Sequence, residues 1–376
     1  MQHLAIQYSF EHLLAGLQME VEKEYVSRVD KGELSLFNYR PSCQSDKAWN
    51  DFSLVARGLV LHINLQKIIA LPFAKFFNYG EGGYDIPRLD FHTTEKLDGS
   101  LGIVYFWDGR WHVNTRGAFD SWQSNWAEEW LSHYVRTALL SKTSTYLVEI
   151  IIQENRIVVC YDFEGLVLLS AYSIDTGQEY TQQQLNDVAA KCGGFKRPLC
   201  YSKSFKELLA VAHSLPANQE GFVVRFVDGT RVKIRGDEYC RVHHLISDVT
   251  PLGVWRSMMA CDNLEKIREE LPEEYCNDYD KIVTILREKY NNSVLKLKQE
   301  QEKSRALSDK ELGLSIKKFS PISQKFLFRV RKQRFLDEIE DASDTRDRFF
   351  KSFRPTGNIL NGYKPTGVIN RFIDSG

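Results

Sequence analysis

A change of hydrophobic period near residue 240 constrains the fold of this sequence more than any other feature. Before it, from about residue 54 to 235, apolar residues come in short runs separated by turn-forming residues: 58–63, 102–107, 111–115, 146–152, 156–161, 166–172, 221–226 and 231–235. Branched and aromatic side chains dominate these runs, and Asp108-Gly109 and Asp228-Gly229 are the dipeptides that close tight hairpins, so the spacing predicts a largely antiparallel β region. Helical spacing interrupts it at 122–140, 181–192 and 203–212, each opened by a Ser or Thr cap or by a turn. Beyond Tyr239 the pattern turns helical and charged, at 264–271, 279–305, 310–318 and 321–339. Residues 354–376, with Pro355, Gly357, Gly362, Pro365 and Gly367 among polar residues, are expected to form a loop or frayed end. The expected class is α+β: an antiparallel-sheet domain over 1–245 and an all-α domain over 246–376.

Charge follows the same division. The net charge of -1 conceals 21 Lys and Arg against 12 Asp and Glu from Lys281 onward, which leaves 28 against 38 before it. A basic tail on an acidic body suggests a polyanionic partner. The longest apolar stretches, 150–152 and 166–169, fall far short of the about 20 residues needed to span a membrane. Residues 1–17 are amphipathic and lack the basic start of a secretory signal. The seven cysteines (43, 160, 192, 200, 240, 261, 276) form no Cys-x-x-Cys pair and no zinc-like spacing. Reduced thiols and a cytoplasmic setting are expected.

The segment richest in chemical content is Glu95-Lys96-Leu97-Asp98-Gly99-Ser100. A lysine becomes a nucleophile once its ammonium loses a proton, which nearby cations and partial burial favour. Glycine beside it lets the backbone approach a nucleotide. Alone, Lys-x-Asp-Gly is equally an ordinary turn with a solvated lysine, so its company decides. Ala56-Arg57-Gly58 enters a strand upstream, followed by Lys75-Phe76-Phe77-Asn78, and Glu149 lies in an apolar strand where a bare carboxylate is costly. Glu220-Gly221 opens a hairpin whose return strand, by period-2 alternation, puts Lys233 and Arg235 on one face. Two cations beside two carboxylates suit a triphosphate with bound metal.

In this order, Lys96-x-Asp98-Gly99, Glu149, Glu220-Gly221 and Lys233-x-Arg235 resemble the nucleotidyltransferase motifs of covalent ligases and mRNA capping enzymes. The closer similarity is to the tRNA-repair RNA ligase of T-even bacteriophages and its relatives, which carry Lys-Glu-Asp-Gly-Ser where this chain has Lys96-Leu97-Asp98-Gly99-Ser100. DNA ligases and capping enzymes usually place Arg two residues after the glycine, at the position of Leu101 here. The chain departs from the phage pattern in having Arg235 for the second lysine of Lys-x-Lys and Arg116 for the lysine after the nucleophile strand. Charge is kept at both, but a planar fork replaces a point charge.

The resemblance implies an ATP-grasp-like ligase fold and an ATP-dependent RNA ligase joining RNA 5′-phosphate and 3′-hydroxyl ends, with broken tRNA as the suggested substrate. It implies that Lys96 carries AMP and that Asp98 orients the site. Arg57, Lys75 and Arg235 would meet the β- and γ-phosphates and Lys233 the α-phosphate. Glu95 and Arg116 would complete the nucleotide contacts, and Glu149 and Glu220 would hold Mg²⁺ or Mn²⁺. Rival readings are a DNA ligase, a capping guanylyltransferase and a catalytically silent RNA-binding relative. In the tail, Lys317, Lys318, Lys325, Arg329, Arg331, Lys332 and Arg334, interleaved with Phe319, Phe326, Phe328 and Phe335, suit an RNA backbone and its bases. An amphipathic helix with its phenylalanines in the core fits the same pattern.

Overall fold

The computed structural model describes residues 2–81, 86–332, 344–356 and 358–365. The chain divides into two compact units, Met1–Arg241 and Val242–Gly376.

The first unit is built on three sheets. One is an antiparallel meander of β1 (Val26–Lys31), β2 (Leu34–Tyr39), β3 (Arg57–His62) and β4 (Lys67–Ala70). The helix Phe10–Glu22, capped by Ser9 Oγ on the His12 amide, packs Leu13 and Leu17 against the buried faces of these strands. The other two sheets use β5 (Phe77–Asn78), β6 (Phe91–Lys96), β7 (Ser100–Trp107), β8 (Arg110–Thr115), β9 (Ser144–Ile151), β10 (Gly165–Ser173), β11 (Phe195–Lys196), β12 (Cys200–Tyr201), β13 (Gly221–Phe226) and β14 (Arg231–Arg235). Their orders are β11-β10-β9-β7-β8 and β12-β6-β13-β14-β5, antiparallel except for the pairs β10 with β11 and β14 with β5.

Alternation along the strands decides which side chains reach a site. In β13 and β14, Phe222, Val224, Phe226, Val232 and Ile234 pack on the helix Phe205–Ala212. Lys233 and Arg235 therefore occupy the opposite face. In β9, Glu149 interrupts an otherwise buried run and stands between Leu101 of β7 and Val167 of β10. A buried network ties the sheets together elsewhere: the Glu179 carboxylate holds Arg225 at 2.9 Å, Arg231 and the Ser170 hydroxyl.

Two expected elements need correction. The run 156–161 is not a strand: a short 3-10 turn, Gln153–Asn155, leads into irregular backbone. The amides of Val158 and Val159 donate to Asp98 Oδ2, both at 2.9 Å, instead of to a ladder partner. The helix expected over 122–140 ends at Tyr134, because Val135 is extended and the Arg136 amide bonds Cys192 O. Seven strands that the periodicity did not pick out, β1, β2, β4, β5, β6, β11 and β12, also form.

The described part of the second unit is helical: Pro251–Ala260, Leu264–Glu270, Glu273–Ser304, Asp309–Ser315, Pro321–Lys332 and Asp344–Lys351. Its core gathers Leu297, Leu312, Phe326, Leu327, Val330 and Phe349. Phe326 is thus a core residue, Phe319 packs against the same cluster, and Phe328 is exposed. The last part of the helix expected over 321–339, including Arg334 and Phe335, lies outside the described residues, as do Gly357 and residues 366–376 of the expected C-terminal loop. Among the described residues, no helix is long and apolar enough to cross a membrane.

Candidate active site

Lys96 ends β6, and register brings its partners to it. Gly221 pairs with Lys96 on one side and Arg235 on the other, so three neighbouring strands present these positions side by side. The approach requires glycine: Gly221 has φ +138°, and a Cβ there would come within 2.1 Å of Ile234 O. The preceding Glu220 is almost fully buried; its Oε2 lies 2.6 Å from Lys96 Nζ and its Oε1 3.1 Å from Arg235 Nε. Burial pushes the Glu220 carboxyl upward, and Lys96 opposes the shift.

Glu149 accepts from the Gly99 amide at 3.2 Å. Burial raises its carboxyl to about 7, with the Lys96 charge pulling the other way and Glu220 adding to the rise. Asp98 is fully engaged: beside the two amides on Oδ2, its Oδ1 accepts from the Tyr239 hydroxyl at 2.8 Å, and its own amide donates to Tyr161 Oη at 2.7 Å. It clasps the 156–161 segment against the loop that follows Lys96.

The cations stand on aromatic rings. Phe76 has the Arg57 guanidinium at 5.5 Å and Lys233 Nζ at 4.7 Å from its centroid. Lys75 Nζ sits 5.2–5.3 Å from the rings of Tyr39, Trp49 and Phe77, and Arg116 bonds the Tyr39 hydroxyl at 3.0 Å while lying over that ring. Ring quadrupoles offset part of the repulsion among like charges held together out of water. The repulsion still registers: burial, then Arg57, Lys96, Lys75 and Arg235, hold the Lys233 ammonium well below the usual lysine range. Arg57 Nε and Nη1 are buried without an acceptor. Buried donors without partners are costly, so this wall is complementary to a ligand rich in anionic oxygens.

Lys96, Glu149, Glu220, Arg57, Lys75, Lys233 and Arg235 are thus linked by contacts or by mutual electrostatics, and Arg116 joins through Tyr39. Glu95 is different: it alternates away from Lys96, and its Oε1 accepts from the Leu199 amide at 2.8 Å. Sequence reasoning passed over Tyr39, Trp49, Tyr161 and Tyr239. The aromatic run at Phe76-Phe77 hinted at ring-supported cations, but nothing local marks Tyr239 as the partner of Asp98. No group of three or more His, Cys, Asp or Glu suited to a metal forms among the described residues. The two carboxylates still fit a hydrated divalent ion, because among the described residues only one Glu149 oxygen accepts a hydrogen bond, and its raised carboxyl would be relieved by a nearby cation.

Sequence comparison places this geometry in a family. The family described as RNA ligase matches residues 55–239, the stretch that carries these site residues from Arg57 to Tyr239. This segment belongs to the RNA ligase family. An RNA ligase of Rhodothermus phage RM378 is 24% identical over 65% of this chain and 73% of its own length. A protein of Autographa californica nuclear polyhedrosis virus, named as a bifunctional polynucleotide kinase/RNA ligase, is 28% identical over 59% of this chain. The chain spans only 35% of that viral protein. Among solved structures, an archaeal ATP-dependent RNA ligase overlaps 73% of this chain and 79% of its own at 13% identity and a TM-score of 0.47, too distant to bear on function.

Proposed function

We propose that this chain is an ATP-dependent RNA ligase that joins a 5′-phosphate to a 3′-hydroxyl through an AMP carried on Lys96. The observation that carries the reading is the pairing of Lys96 with buried Glu220 inside a wall of cations, with Arg57 donors lacking acceptors. The Lys96 amine attacks the α-phosphorus of ATP; the N–P bond forms, the bond to the β-phosphate oxygen breaks, and pyrophosphate leaves. Glu220, at 2.6 Å, is positioned to take the lysine proton. Arg57, Lys75 and Arg235 balance the charge of the departing pyrophosphate, and Lys233 that of the α-phosphate. An oxygen of the RNA 5′-phosphate then displaces the lysine from the AMP phosphorus. Finally the 3′-hydroxyl attacks the activated 5′-phosphorus, losing its proton to solvent as AMP departs.

Glu149 and Glu220 would hold a divalent ion, which when bound supplies positive charge near the α-phosphate. Asp98 acts as a positioning residue, since all its lone pairs towards the protein are engaged. The basic helical unit supplies RNA contacts, and cleaved tRNA is the substrate to try first.

The test is labelling with α-labelled ATP and, separately, GTP, followed by joining of matched RNA and DNA ends. AMP transfer and RNA joining are the expected results. GMP transfer would make the chain a capping-type enzyme, preference for DNA ends a DNA ligase, and no transfer a silent relative.

A further inference from the structure

Bordering the loop that follows Lys96 lies a cleft of about 230 Å³ within the first unit. Asp98 and Gly99 form one wall, the end of β9 another, and the 153–163 segment the rest, with Gln153, Arg156, Tyr161 and Phe163 facing in. The nucleotide reading does not use it: the residues proposed to meet ATP, Lys96, Arg57, Lys75, Lys233 and Arg235, are absent from its lining. The two rings meet edge to face at 5.5 Å, and the Lys196 ammonium lies 3.9 Å from the Phe163 centroid. Tyr161 Oη accepts the Asp98 amide, and no second partner for its own hydrogen is present among the described residues. The exposed amide of Gln153 makes no side-chain hydrogen bond there either. Aromatic faces with spare donors and acceptors at the rim are what a nucleobase requires, since stacking is tolerant of base identity and the polar groups meet base edges.

We propose that this cleft binds the terminal nucleoside of the RNA end being joined, a reading that rests on the RNA ligase assignment. The lining argues for RNA over ATP: the cleft shares Asp98 and Gly99 with the nucleophile loop, and none of the proposed phosphate-binding cations lines it. The clasp explains how occupancy would be felt at Lys96. Asp98 binds the Val158 and Val159 amides and donates its amide to Tyr161, so the segment that touches the base and the loop that follows the lysine move together.

Cys160 lines the cleft and is an exposed free thiol, which provides a direct probe. The full chain, loaded with AMP, is alkylated with iodoacetamide with and without a 5′-phosphorylated single-stranded RNA oligonucleotide, and the Cys160 peptide is followed by mass spectrometry. Protection of at least about fivefold by RNA, with little by ATP on the unloaded chain, is the expected outcome. Equal protection by ATP alone would assign the cleft to the adenine of the cofactor, and protection by neither would overturn the proposal. Phe163→Leu provides the second arm: it should raise the KM for the RNA end by more than it slows AMP labelling of Lys96, and the reverse ranking overturns the proposal. Absence of any Lys96 adenylate in the unmodified chain would instead defeat the ligase reading, so the two failures are distinguishable.

Discussion

At the scale of single residues, Lys96 and Glu149 carry opposite demands. In the proposed mechanism Lys96 loses a proton in order to attack, which a guanidinium cannot do, so Lys96→Arg should be as inactive in AMP labelling as Lys96→Ala despite keeping the Glu220 ion pair. Retained labelling in either variant would move the nucleophile elsewhere. Glu149 has its carboxyl raised from 4.5 to about 7 by burial. Between those pH values the folded chain binds a proton that the unfolded chain has released, so stability falls as pH rises through this window and levels off above it. Glu149→Gln should remove that loss. The variant is expected to match the parent near pH 4 and to exceed it by about 1–3 kcal/mol at pH 8 in urea unfolding. Mg²⁺ should recover stability at pH 8 in the parent more than in the variant; equal recovery would remove Glu149 from the ion's site.

At the scale of elements, the site depends on β6, β13 and β14 staying in register at Lys96, Gly221 and Arg235. Gly221→Ala sets a Cβ against Ile234 O in a backbone conformation that side chains avoid. Strain of about 1–3 kcal/mol is the minimum cost, and displacement of the Lys96 and Arg235 strands should lower AMP labelling by more than about tenfold. Gly32, with φ +58° and open space around it, is the control: Gly32→Ala should cost about 1 kcal/mol and leave labelling intact. Equal effects of the two changes would refute the register argument. The Glu179 network is a second element-scale hinge of stability. Glu179→Ala leaves Arg225 and Arg231 without their shared carboxylate in a largely buried setting, with an expected loss of about 3–5 kcal/mol by denaturant unfolding.

At the scale of the whole chain, the charge asymmetry acquires a location. Lys317, Lys318 and Lys325 are exposed on the helical unit, whereas Phe326 is spent on its core. The core reading holds for Phe319 and Phe326, and RNA contact by the exposed lysines stays a proposal with a direct test. Reversing Lys317, Lys318 and Lys325 to Glu should weaken RNA binding and reduce the salt slope by about 2, at about 0.7 for each lost single-strand phosphate contact. An unchanged slope would make the unit a structural cap with solvated charges.

Local pattern alone marked half of the fourteen strands, because burial on one face writes a period of 2 into the residues themselves, as at 221–226 and 231–235. It also marked the chemistry-bearing types around Lys96, since a nucleophile, buried carboxylates and paired cations are unusual in apolar strands. Tertiary structure alone decided which of them meet. The run 156–161 is as apolar as a strand, yet it forms an irregular loop with only Val158 and Val159 buried, because Asp98, about sixty positions earlier, takes the amides of those two residues. The same holds for Tyr239 on Asp98, for Trp49 and Tyr39 around Lys75, and for the cleft behind Gly99. Periodicity reports which face of a segment leaves water; hydrogen-bond and charge partners come from distant segments through register and packing, on which local spacing is silent.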